Sequence, residues 1–153
     1  MLLFLALLLS TPFPSSNRTA WMRPESFRLT LGMTRAEAVK RLTEDGWKPD
    51  KGDNANQVIV DYASNKSLTL EFQKERLASI RFELFVMIPE VGSAFDEEKT
   101  FLHNTLGEPK PVKSKSMIIY DTTLPNIMVV QTKDNSKGLG VLAVRYYNPV
   151  LKN

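Results

Sequence analysis

Residues 76–88 read RLASIRFELFVMI and residues 138–147 read GLGVLAVRYY, and the relation between these two stretches decides the fold. Alternation in the first places Ile80, Phe82, Leu84 and Val86 on one face of a strand and Arg81, Glu83, Phe85 and Met87 on the other. The second alternates in the same way, with Val141, Ala143, Arg145 and Tyr147 sharing a face. Setting LASIRF over VLAVRY brings Arg81 onto Arg145, 64 positions further on, which suggests an internal duplication.

Working outward, each of these strands closes a similar series. LGMTRAEAVKRLTEDGW at residues 31–47 opens on Thr34, three before Glu37, so the Thr34 hydroxyl can accept from the Glu37 N–H while the carboxylate accepts from the Thr34 N–H. Ala36, Ala38, Val39 and Leu42 supply an apolar stripe, Gly46 a left-handed stop, and Pro49 a barrier to resumption. Later, Ser93 stands three before Asp96, a stripe runs through Phe95, Phe101, Leu102 and Leu106, and Gly107 with Pro109 ends it. Strand patterns at residues 58–62 and 67–72 follow the first helix, the latter with Leu68, Leu70 and Phe72 on one face; those at 116–121 and 126–132 follow the second. The expected fold is α+β: two helix-plus-three-strand repeats, at 21–92 and 93–153, forming an antiparallel sheet of about six strands with helices on one face and the other open. One such unit buries little apolar surface, and a second copy shares its core.

Composition narrows the classes of function. The 153 residues carry 20 basic and 17 acidic side chains, so a net charge of +3 exerts little long-range pull on nucleic acid or anionic membrane. Basic residues are scattered with no aromatic stacking row, and the cluster Lys110, Lys113 and Lys115 reads as solvated loop charge. The absence of cysteine excludes disulfides, thiolate metal ligands, cysteine nucleophiles and lipid attachment to an N-terminal cysteine. At the front, Leu2 to Leu9 form an apolar run far short of the about 20 residues a spanning helix requires. Followed by TPFPSSNRTA, it fits a signal peptide within residues 1–20, with Ser10, Ser16 and Ala20 as possible ends; the mature chain is expected outside the cytoplasm, secreted or in the cell envelope, with no membrane span.

Residues that could do chemistry are few. His103, the only histidine, lies in the second helix without a nucleophile elbow beside it; a small hydrolase using it with a carboxylate is the alternative from the enzyme class. Asp96, Glu97 and Glu98 fall in what reads as the first turn of that helix, where the dipole favours negative charge, and no further metal ligand follows at the required spacing. DNAN at residues 53–56 starts like a calcium loop, but its twelfth position is Ser64. No cofactor is expected. Asn17 and Asn65 sit in N-glycosylation acceptor patterns.

Leu31-Gly32-Met33-Thr34, Ala38-Val39, Tyr62, Leu68-x-Leu70-x-Phe72, Leu77-x-x-Ile80 and Leu106-Gly107-Glu108-Pro109 together resemble the BamE/SmpA-type and β-lactamase-inhibitor-protein-like superfamily, over residues 27–147. The resemblance implies an extracytoplasmic module that binds other proteins. One branch carries a lipidated cysteine and another disulfides, both absent here, so neither specific activity carries over. The candidate partner-binding residues are Arg81, Phe85, Met87, Arg145 and Tyr147 on the open sheet face, with another protein as partner and no catalytic or metal role. Two other readings stand beside it: the segment around Trp21, Met22 and Phe27 folds over that face, or the space between helices and sheet holds a small apolar ligand. Trp47, just past the first helix, reads as a core plug.

Overall fold

A computed structural model describes residues 18–120, 125–134 and 137–148, with Tyr62 described by its backbone alone. The apolar run Leu2–Leu9, the candidate cut sites Ser10 and Ser16, and Asn17 lie outside the described residues. The chain forms α1 (Arg35–Glu44), then strands β1 (Asp50–Lys51), β2 (Gln57–Ala63), β3 (Lys66–Gln73) and β4 (Arg76–Met87). The helix α2 (Ile88–Leu106) follows β4 directly, and β5 (Met117–Tyr120), β6 (Asn126–Asp134) and β7 (Leu139–Tyr147) complete one antiparallel sheet in the order β1-β2-β3-β4-β7-β6-β5.

The architecture is α+β, but it is not a pair of helix-plus-three-strand repeats. The sheet has seven strands: Asp50 and Lys51 pair with Ile59 and Val58, adding an edge strand to the first half, whereas at the opposite edge Lys110 makes an isolated bridge to Ile119. The helices differ too, with 10 residues in α1 and 19 in α2. The stretches that suggested a duplication are hydrogen-bonded to each other at the sheet centre, where Arg81 lies opposite Arg145 and Phe82 opposite Val144. Two central strands with one face in the core and one face outward face the same selection of side chains, and this shared environment accounts for their similarity.

The start of α2 is a second correction. It begins at Ile88, with Pro89 in the first turn, where a missing N–H costs nothing, and the Glu90 carboxylate accepts from the Met87 N–H at 3.3 Å. Ser93 is thus inside the helix, donating to the Glu90 carbonyl at 2.9 Å, and Asp96, Glu97 and Glu98 lie beyond the first turn. The first helix follows its sequence: Thr34 Oγ1 accepts from the Glu37 N–H at 3.2 Å and Glu37 Oε2 accepts from the Thr34 N–H at 2.8 Å. The hydrogen bond from the Thr34 backbone holds the Glu37 carboxyl below the usual carboxylate range.

Both helices lie on the same, inner face. Ala38 and Leu42 of α1 join Val58, Val60, Leu68, Leu70, Ile80 and Phe82 in the core, and Val91, Ala94, Phe95 and Leu102 of α2 are buried above β6 and β7. At Gly140 the approach of α2 is so close that a Cβ there would lie 2.6 Å from Val91 Cβ. Between the helices runs a strap, residues 18–33. Its Met22, Phe27 and Leu29 are buried, and the Trp21, Phe27 and Tyr146 rings surround Phe82 with centroids 5.6, 5.7 and 5.9 Å away. Trp47 packs on Phe27 at 5.6 Å, partly buried against the core.

Candidate functional site: the outer sheet face

The outer face carries the alternate residues of every strand. On β4 these are Ser79, Arg81, Glu83, Phe85 and Met87, and on β7 Val141, Ala143, Arg145 and Tyr147; their inner-facing neighbours Ile80, Phe82, Leu84, Leu142, Val144 and Tyr146 are buried. The five candidate residues therefore share one surface. The registers continue outward: Ala143 lies between Glu83 and Val130, which in turn faces Met117, and Arg145 lies between Arg81 and Met128, which faces Ile119. Phe85 and Val141 are opposite each other, both half-buried, while Met87 is 59% exposed.

Ion pairs lie within this face. Arg81 Nε is 2.9 Å from Glu83 Oε1 on its own strand. Arg145 reaches across β4 to β3, donating from Nε to Ser79 Oγ at 2.7 Å and from Nη2 to Glu71 Oε2 at 3.0 Å, and its guanidinium lies 5.4 Å from the Tyr147 ring centre. Ser79 and Thr69 are buried beneath this layer although they point away from the core. Beyond Arg145, a shallow polar depression of about 450 Å³ is lined by Gln57, Glu71, Ser79, Arg145, Tyr147 and Asn148. The Ser79–Arg145–Glu71 connection was not readable from spacing, because a bulge at Ala78 sets Glu71 opposite Ser79 while Phe72 faces Leu77.

The strap takes the other side of the molecule. Trp21, Met22 and Phe27 pack on the inner face, so among the described residues neither the strap nor a helix lies over the outer face. Charge anchors the strap to α2. Arg23 meets Glu98 through two hydrogen bonds, 2.7 and 3.0 Å long, with Glu98 fully buried, and its guanidinium sits 3.9 Å over the Phe101 ring. Arg18 donates to Ser93 Oγ at 2.8 Å and to Glu97 Oε1 at 2.9 Å. Glu97 and Glu98, expected to serve the helix dipole, are instead strap ligands. Tyr146 donates to the Met22 carbonyl at 2.9 Å, and burial pushes its phenol well above the ordinary range. The sequence did carry a sign of the buried pair: Glu98 falls in phase with Val91, Ala94, Phe95 and Leu102, a carboxylate on an apolar stripe.

His103 lies on the solvent side of α2, 3.7 Å from Glu108, itself 86% exposed. No hydroxyl is hydrogen-bonded to it among the described residues, and the structure does not bring it to the outer face. An apolar hollow of about 520 Å³ lies on the inner side between strap and sheet, lined by Leu29, Leu31, Ile80, Leu106, Ile127 and Tyr146. Among the described residues no three His, Asp or Glu side chains gather as a metal site would require, and no helix is long and apolar enough to cross a membrane. Comparison of the chain with family models, with curated proteins and with solved structures finds no match.

Proposed function

We propose that the chain is a non-enzymatic module that binds another protein through the outer face of its sheet, and that it works outside the cytoplasm. The observation that carries this reading is the division of labour between the two faces: helices and strap cover the inner one, while the outer one presents Phe85, Met87, Val141 and Tyr147 beside Arg81 and Arg145. Aromatic side chains supply contact area with few rotors to order, and arginines already held in ion pairs supply directed hydrogen bonds. The motif resemblance to the BamE/SmpA-type and β-lactamase-inhibitor-protein-like superfamily supports the same class of activity, and the Leu2–Leu9 run supports export.

The test is crosslinking in the native compartment. A photoreactive side chain at Phe85 or Tyr147 is expected to capture a protein in high yield, and one at Lys40, on the exposed side of α1, is not. Equal yields from the two positions, or none from either, would remove the outer face from consideration.

A further inference from the structure

We infer that the protein held by the outer face is a second copy of this chain, packed sheet against sheet about a two-fold axis near Ala143 and Val130. The inference rests on the binding reading above and adds the identity of the partner. Its first support is the lateral asymmetry of the face. Across β4, β7, β6 and β5 the outward residues include Phe85, Met87, Val141, Ala143, Met128 and Val130, with Arg81, Glu83 and Arg145 among them, whereas on β2 and β3 Ile59 stands among Gln57, Asp61, Ser67, Thr69 and Glu71. The apolar half is centred on the register Glu83–Ala143–Val130–Met117, so an axis there lays apolar half on apolar half and leaves each polar half in water.

Area is the second support. Strands β4, β7, β6 and β5, of 12, 9, 9 and 4 residues, spaced about 4.8 Å apart with a rise of about 3.3 Å per residue, give this half of the face about 500 Å² in projection, the Arg81–Glu83 pair and Arg145 included. That lies in the upper part of the range of the largest apolar patch a monomer ordinarily leaves in water, about 300–600 Å². Two such halves in contact remove about 1,000 Å², the size of a weak, transient interface, which suits a dimer that forms and separates with concentration. Charge is the third. Arg81 is paired with Glu83 and Arg145 with Glu71, so the two arginines of this half carry their own counter-charges and do not by themselves call for an acidic partner. A neutral, apolar sheet face suits it best, and the chain itself offers one.

Sedimentation of the purified chain across the micromolar range is expected to show mass rising from monomer to dimer, and Val130→Glu to weaken the association at least tenfold with its circular dichroism unchanged. Because the chain has no cysteine, Ala143→Cys introduces a unique thiol, and sheets stacked about 10 Å apart place its two copies within reach of a short bis-maleimide. Covalent dimer from Ala143→Cys but not from Lys40→Cys supports the arrangement, and this readout stands even if Val130→Glu fails to fold. A monomer at every concentration overturns it, as does a dimer that crosslinks through Lys40→Cys alone. If the chain is monomeric while Phe85 captures a different protein in its native compartment, the self-association fails and the binding reading survives; if Phe85 captures nothing, both fail.

Discussion

At the scale of single residues the most consequential interaction is the one between Arg23 and Glu98. A carboxylate with no solvent exposure is tolerable only because the guanidinium answers both of its oxygens, and the guanidinium in turn lies over the Phe101 ring and donates to the Met22 carbonyl. Glu98→Ala is therefore expected to cost about 3–5 kcal/mol, most of it from leaving Arg23 inside without its counter-charge. Replacing both partners by apolar residues, Arg23→Met with Glu98→Leu, is expected to recover much of that loss, since the desolvation of two charges then disappears. Urea unfolding of the three proteins measures it; a double variant no more stable than Glu98→Ala would mean that the pair itself, and not the avoidance of a lone charge, holds the strap.

Among elements, the seating of α2 on the sheet sets the shape of the inner face. Val91 descends onto Gly140 of β7, where only a residue without a Cβ leaves room. Gly140→Ala is expected to lift the helix and lower stability by about 1–3 kcal/mol, and adding Val91→Ala to restore most of it, read as melting temperatures of the single and double variants. Much at this scale was legible beforehand. The Thr34–Glu37 capping box and the alternation through Ile80, Phe82 and Leu84 are local patterns, and local patterns survive folding because their partners are a few residues away. What escaped was set by distant neighbours. Both residues of β1 are exposed, so nothing in their own chemistry marks Asp50 and Lys51 as a strand until Val58 and Ile59 pair with them. Likewise FVMI continues the strand pattern through residue 88, and only Pro89 and Glu90 betray the turn into α2. The candidate face followed from alternation alone, whereas the reach of Arg145 to Glu71 depended on the bulge at Ala78.

For the whole molecule, the strap decides whether the sheet has one wet face or two. Helices α1 and α2 leave a channel between them over Phe82, and Met22, Phe27 and Leu29 close it; fully burying three such side chains contributes about 5–9 kcal/mol, comparable with the whole stability of a domain of this size. The strap's first anchor precedes that channel: Thr19 is fully buried, and Arg18 holds α2 through Ser93 and Glu97. If the N-terminal segment is cleaved, a cut after Ala20 takes Arg18 and Thr19 with it, whereas a cut after Ser10 or Ser16 keeps both anchors. Three chains beginning at Asn17, Trp21 and Leu31 separate these contributions. The first is expected to melt in one cooperative transition at the highest temperature. The second should melt several degrees lower, the Arg18 pair being about one-third exposed and worth little, so that most of the deficit comes from the cavity left by Thr19. The third, with the inner face open as well as the outer, is expected to aggregate without a cooperative transition. Equal melting of the first two chains would show that the anchor begins at Met22, and a cooperative third chain would show that α1 and α2 alone can close the core.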